Sequence, residues 1–141
     1  MSDKILKQKV NTAMYELIKE NGVASPVEVM IAIGILSKAD YERWRTGKID
    51  YLERVCKVNL SKLSTINREI RMFAQKNNLK PSWTFYKRWG QKKGKAIPLR
   101  FSKSGDETIE KAYATHYISE VKVAEARARR ELKKKNEILT D

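Results

Sequence analysis

The chain has one cysteine, one histidine, three prolines and no long apolar run, and between Ile70 and Gly105 it has no aspartate or glutamate at all. Each shortage excludes something. A lone Cys56 forbids an intramolecular disulfide, and its apolar setting between Val55 and Val58 suits a small buried hydrophobe in a reducing compartment, so a cytoplasmic location is expected. Together with a lone His116 it also forbids a His/Cys zinc set within one chain. The longest apolar run, Val29 to Leu36, falls well short of the roughly 18 to 20 residues that a bilayer requires, so no membrane contact is expected. The first residues, Met1 to Lys7, lack the apolar region and small-residue cleavage site of a signal peptide. Internal repeats and low-complexity segments are missing too.

The carboxylate-free window is far from empty. Ten of the chain's 30 Lys and Arg lie in it, which leaves 20 basic residues elsewhere against all 17 acidic ones. Most of the net charge of +13 therefore belongs to one stretch. Six of the twelve aromatic residues share the window: Phe73, Trp83, Phe85, Tyr86, Trp89 and Phe101. Cations neutralise phosphate and flat rings stack on bases, so the mixture points to nucleic acid as the partner.

At 141 residues the chain fits one domain with a real core. Spacing predicts a first helix over Lys4 to Asn21, with Leu6, Val10, Ala13 or Met14, Leu17 and Ile18 on one face and Gly22 as its stop. Ser25-Pro26-Val27-Glu28 reads as a capping box opening an apolar helix to Leu36. A short helix follows to Thr46, with Trp44 between Arg43 and Arg45, and another near Ile49, Leu52 and Val55. The clearest helix is capped by Asn59 or Ser61 and carries the stripe Leu60, Leu63, Ile66, Ile70, Phe73 and Ala74, opposite a polar face of Ser64, Arg68, Arg71 and Gln75. It ends before Lys80-Pro81.

Beyond Pro81 the reading is a two-stranded hairpin over about 83–102, with Gly90 to Lys95 at its tip and Pro98 marking an edge strand. Ser104-Gly105-Asp106-Glu107 then reads as a second capping box, and Ile109, Tyr113, Tyr117, Val121, Ala124, Ala128 and Leu132 continue one stripe along a single long helix. The expected fold is mainly α with one two-stranded β-hairpin (α+β), in a winged helix-turn-helix-like order plus a long C-terminal helix. Residues 1–121 form one globular domain, and 122–141 a basic helical extension with a frayed end.

In a winged helix-turn-helix the second helix enters the major groove and the wing touches backbone or minor groove. The expected nucleic-acid contacts are accordingly Asn67, Arg68, Arg71 and Gln75 on the helix, with Ser64 nearby, and Lys87, Arg88, Lys92, Lys93, Lys95 and Arg100 on the hairpin. Trp83, Tyr86 and Trp89 are the candidates for base stacking, although rings at this spacing cannot all share one strand face and some must be core. Helix-then-wing order favours DNA over RNA. Each cation also has a plainer role as part of a solvated face, and Arg127 to Lys135 serve either as a second phosphate grip or as cations complementing a helix end. The stripe on the last helix offers a homodimer contact.

Catalysis has little to build on. Gly90 to Ala96 has three residues instead of four between its glycines, and Ala96 where a phosphate loop needs Ser or Thr, so no nucleotide cofactor is expected from it. A metal-dependent nuclease would draw on Asp40, Glu42, Asp50 and Glu53, or use Tyr113, His116 and Tyr117 for proton transfer. Those carboxylates can equally pair with Arg43, Arg45 and Arg54, and the tyrosines match a packing stripe. The expectation is a binding protein with no enzymatic role. Its alternative is an adaptor that docks an acidic protein through the same basic aromatic surface.

Overall fold

A computed structural model describes residues 2–92 and 94–139. Six α-helices and a three-stranded antiparallel sheet are present among them. The first helix, α1 (Asp3–Asn21), starts at Ser2, whose hydroxyl accepts the Ile5 N–H, and buries Leu6, Val10, Ala13, Met14 and Ile18 as the spacing predicts. Gly22 ends it at φ +76°, a left-handed conformation that glycine adopts without strain. Strand β1 (Val23–Ala24) leads into α2 (Pro26–Ala32), where Ser25 accepts the Glu28 N–H and returns its own hydroxyl to Glu28 Oε1. The expected capping pair forms with one difference, that Glu28 takes the Ser25 hydroxyl and not its backbone N–H. The helix stops at Ala32, short of Leu36, and Gly34 turns the chain at φ +82°.

Helix α3 (Lys38–Arg45) is capped by Ser37, and a turn of 3-10 helix over Leu52–Val55 follows. Helix α4 (Leu60–Lys76), capped by Asn59, buries Leu63, Ile66, Ile70 and Ala74. Its first expected core residue, Leu60, is exposed instead, because it lies in the first turn at the edge of the packed face. The main partner of α4 is α1, and the short helix near Ile49, Leu52 and Val55 that a helix-turn-helix pairing would place before it is only the 3-10 turn Leu52–Val55.

Two corrections concern the second half. The expected hairpin over 83–102 is not a pair of strands. Strand β2 (Lys80–Trp83) lies earlier and pairs with β3 (Thr115–Ile118), in register Lys80 to Ile118 and Trp83 to Thr115, while β1 pairs with the other edge of β3. Residues 84–105 make a long excursion in which the one strand-like bridge among the described residues joins Lys87 and Pro98, flanked by Arg88 N–H to the Ile97 carbonyl at 2.9 Å and Leu99 N–H to the Tyr86 carbonyl at 2.8 Å. Lys87 and Pro98 are the non-hydrogen-bonded pair of this bridge, so the ladder does not call on the N–H that Pro98 lacks, and the outward Trp89 N–H goes to the Arg45 carbonyl at 2.7 Å.

The expected single C-terminal helix is also broken. Helix α5 (Glu107–Ala114) is capped by Asp106, not Ser104, since the Asp106 carboxylate accepts the Ile109 N–H at 3.1 Å. The chain then extends as β3, and α6 (Glu120–Leu139) begins where Ser119 accepts the Lys122 N–H at 3.2 Å. Threonine, tyrosine and isoleucine suit a half-buried pleated surface, with Thr115 and Tyr117 buried and His116 and Ile118 half-buried in alternation. Packing continues past residue 121: Val123 lies over Gly22, Ala126 is buried, and Arg129 donates to the carbonyls of Lys19 and Glu20 at the end of α1. Beyond that, Leu132, Ile138 and Leu139 are exposed. No helix among the described residues is long and apolar enough to cross a membrane.

Candidate nucleic-acid interface

The excursion is anchored by its aromatic residues. Trp44, fully buried, packs against Tyr86 at 5.6 Å and Phe101 at 5.1 Å between ring centroids, and Phe101 stacks on Tyr113 at 5.5 Å and 10°. The Trp44 indole N–H also donates to the Arg100 carbonyl at 2.8 Å, an oxygen that accepts the Leu52 N–H as well. Tyr86 and Phe101 thus fix the two legs of the excursion onto one buried ring. This corrects the stacking assignment of Tyr86: at 8% exposure, with its hydroxyl 3.5 Å from Ser25 Oγ, it is core. Burial pushes its phenol up to about 12. Trp83 and Trp89 remain open at 54% and 43% exposure, joined by Phe85 at 42%, which the sequence reading did not single out as a site residue.

The cations divide by what they touch. Lys87, Lys92 and Lys95 are exposed, and no carboxylate partner is present for them among the described residues. Lys93 lies outside the described residues. Arg88 is half-buried: its side chain lies across Gly47 and its Nε donates to the Thr46 carbonyl at 3.2 Å, so its first role is to hold the excursion against the end of α3. Arg100 stacks over Tyr51, with Cζ 5.2 Å from the ring centroid, and reaches the Lys103 carbonyl at 3.4 Å. Of the other cations in the window, Lys80 faces Glu120 at 3.8 Å on an exposed surface, a pairing of small energetic weight.

On α4 the candidates separate. Asn67 and Arg71 line a cleft of about 700 Å³ together with Lys103 and Ser104 from the end of the excursion and Ile109 from α5. Arg68 and Gln75 are exposed on the helix and line neither this cleft nor the one beside α3. Helix face and excursion therefore meet through Arg71 and Lys103, not through a wing.

Three of the four carboxylates considered for metal chemistry, Asp40, Asp50 and Glu53, are occupied otherwise. Asp50 pairs with Arg54 at 2.9 Å and Asp40 with Arg43 at 3.2 Å, and Glu53 accepts the Lys103 N–H and the Tyr113 hydroxyl. The Arg54 guanidinium beside it lowers the Asp50 carboxyl, whereas burial and Glu53 push the Tyr113 phenol far above its usual range. No group of three or more His, Cys, Asp or Glu placed to hold a metal is found among the described residues.

A cleft of about 530 Å³ opens on the other side of Tyr86. Arg45 of α3, Phe85 and Lys87 of the excursion and His116 of β3 line it, with Val27 and Glu28 of α2. Arg45 and His116 were not among the expected nucleic-acid contacts; His116 was a candidate for proton transfer alone. The available signal was Arg45 beside Trp44, a cation next to the ring that became the centre of the core.

Comparison with protein-family models, with curated proteins and with solved structures finds no match for this chain.

Proposed function

We propose that the protein binds nucleic acid through the excursion at 84–105. The observation that carries this reading is the coincidence, on one anchored segment, of exposed lysines without carboxylate partners among the described residues and exposed rings: Lys87, Lys92 and Lys95 with Phe85 and Trp89, and Trp83 on the adjoining edge strand. A folded protein that holds such cations together accepts mutual repulsion, which a polyanion relieves. Exposed indoles among them offer π-faces to unpaired bases.

The preferred ligand is a strand with accessible bases. A winged-helix reading of duplex DNA draws on helix-then-wing order, but the segment after α4 joins a sheet with β3, and Arg68 and Gln75 stand apart from the cations of the excursion. Phosphate contacts alone do not separate DNA from RNA, so both are ligands in this proposal. Fluorescence anisotropy of single-stranded DNA, single-stranded RNA and duplex DNA over a salt series tests it. Single strands should bind more tightly than duplex, with affinity falling steeply as salt rises. Should every probe bind more weakly than about 100 µM at low salt, outside even the non-specific range, the proposal fails.

A further inference from the structure

The cleft beside α3 is lined by a cation, Arg45, one of whose donors has no acceptor among the described residues. The Arg45 guanidinium lies over two rings, with Cζ 4.8 Å from the Trp89 centroid and 5.0 Å from that of Tyr86. Its Nε is buried and has no hydrogen-bond partner among the described residues. A buried donor without an acceptor is costly, and buried polar atoms are nearly always paired. Contact with both rings restricts the guanidinium, so less side-chain freedom is lost when the terminal donors of its planar fork take a ligand. That fork matches the paired oxygens of a phosphate.

The other lining groups extend the match. Lys87 brings a second cation with no carboxylate partner among the described residues. His116 stacks on Tyr86 at 5.7 Å, and its Nδ1 lies 3.2 Å from the Ala114 carbonyl, an oxygen that can only accept. Nδ1 therefore carries the proton of that bond and Nε2 is left for a ligand. The opposing charge is Glu28, one of whose oxygens accepts the Ser25 hydroxyl at 3.0 Å. Its remaining acceptor capacity suits a sugar hydroxyl or an exocyclic amine. Phe85 adds a half-exposed ring at the rim, and Val27 lies buried at the base. At about 530 Å³ the cleft is of ligand size and far too large for a bare phosphate ion.

We propose that this cleft binds a nucleoside monophosphate unit, with its phosphate on Arg45 and Lys87, its base against Phe85 and a sugar or base donor on Glu28. The unit comes either as a free nucleotide or as the phosphorylated end of a strand; the second source rests on the nucleic-acid reading above, the first does not.

The full chain is titrated with adenosine monophosphate, with adenosine, and with one single-stranded oligonucleotide made with and without a terminal phosphate, followed by proton–nitrogen correlation spectra. The monophosphate should move the Arg45 Nε–H signal and the Phe85 and Lys87 amides, and bind at least about tenfold more tightly than adenosine. Arg45→Lys, which keeps the charge and loses the fork, should weaken it about tenfold or more, and Lys87→Gln, at an exposed side chain that carries no packing, about fivefold. The second variant keeps the test alive if the first does not fold. Preference for the phosphorylated strand assigns the chain end as the source, and equal strand binding with the monophosphate in the cleft assigns the free nucleotide. The inference is overturned if those signals stay still, if adenosine binds as well as its monophosphate, or if folded variants bind like the parent chain. Strands that bind while the monophosphate leaves the cleft untouched would sink the cleft and spare the proposed function; a monophosphate that binds while no strand does would do the reverse.

Discussion

Glu110 holds Ser102 twice with one carboxylate oxygen, accepting its N–H at 2.7 Å and its hydroxyl at 2.6 Å, while the other oxygen accepts the Phe101 N–H at 2.9 Å. Glu53 takes the next residue, accepting the Lys103 N–H at 2.9 Å and the Tyr113 hydroxyl at 2.8 Å. Two glutamates, one from the 3-10 turn and one from α5, thus take the three consecutive N–H groups of Phe101, Ser102 and Lys103, on a leg whose Arg100 and Phe101 carbonyls accept the Leu52 and Glu53 N–H. Glu110→Ala leaves the N–H groups of Phe101 and Ser102 without an acceptor and should cost about 2–4 kcal/mol, given that bonds to a charged acceptor exceed neutral ones. Urea denaturation measures the loss, and faster hydrogen exchange at those two amides locates it. A change within about 0.5 kcal/mol would show that the clamp is dispensable.

Gly22 and Gly34 allow a controlled comparison of backbone strain with close packing. Both have positive φ, +76° and +82°. A Cβ on Gly22 would collide with the backbone nitrogen of Val123, whereas one on Gly34 meets no heavy atom within 4 Å. Gly34→Ala should therefore cost about 1 kcal/mol, from strain alone, and Gly22→Ala about 2–4 kcal/mol because the start of α6 must also shift. Thermal or urea denaturation of the two variants decides it. Equal losses would mean that α6 does not bear on the end of α1.

Alkali should weaken the fold through its buried phenols. Tyr86 is raised to about 12 and Tyr113 is raised as well, in both cases chiefly by burial. Below about pH 10 these groups are protonated folded or unfolded, and their contribution is fully present. As pH climbs from there, the unfolded chain loses protons that the folded one keeps, so stability declines until about pH 12 for Tyr86. Its share is on the order of 2 kcal/mol. Tyr86→Phe should have a smaller difference in denaturation midpoint between about pH 8 and pH 11 than the parent chain. An unchanged difference would place the alkaline sensitivity elsewhere.

The helices of the first half were legible because their information is local. Ser25 and Asn59 cap within three residues, and the stripes from Leu6 to Ile18 and from Leu63 to Ala74 repeat at helical spacing. The sheet was not, since its strands run to four residues at most and are defined by pairing Val23 and Lys80 with Ile118, far along the chain. Tyr113 and Tyr117 stand four residues apart and imitate one helical face, although the first lies in the last turn of α5 and the second in β3. The basic window was plain from composition alone. The cleft was not, because Arg45 and His116 reach it from α3 and β3, and only the fold brings those elements to Lys87.

Salt dependence separates the cations that would grip phosphate from those that hold the excursion in place. Lys92 and Lys95 are exposed near its tip, and reversing both charges should lower the slope of log affinity against log salt by about two units and weaken single-strand binding about tenfold or more at low salt. Stability should stay within about 0.5 kcal/mol, since neither side chain is packed. Arg88→Gln should behave in the opposite way. Its Nε bond to Thr46 and its cover over Gly47 are lost, at about 1–2 kcal/mol, with the slope unchanged. Anisotropy titrations at several salt concentrations, paired with urea denaturation of each variant, resolve the two effects. A slope that falls in Arg88→Gln and holds in the lysine reversal would move the phosphate contacts from the tip of the excursion to its base beside α3.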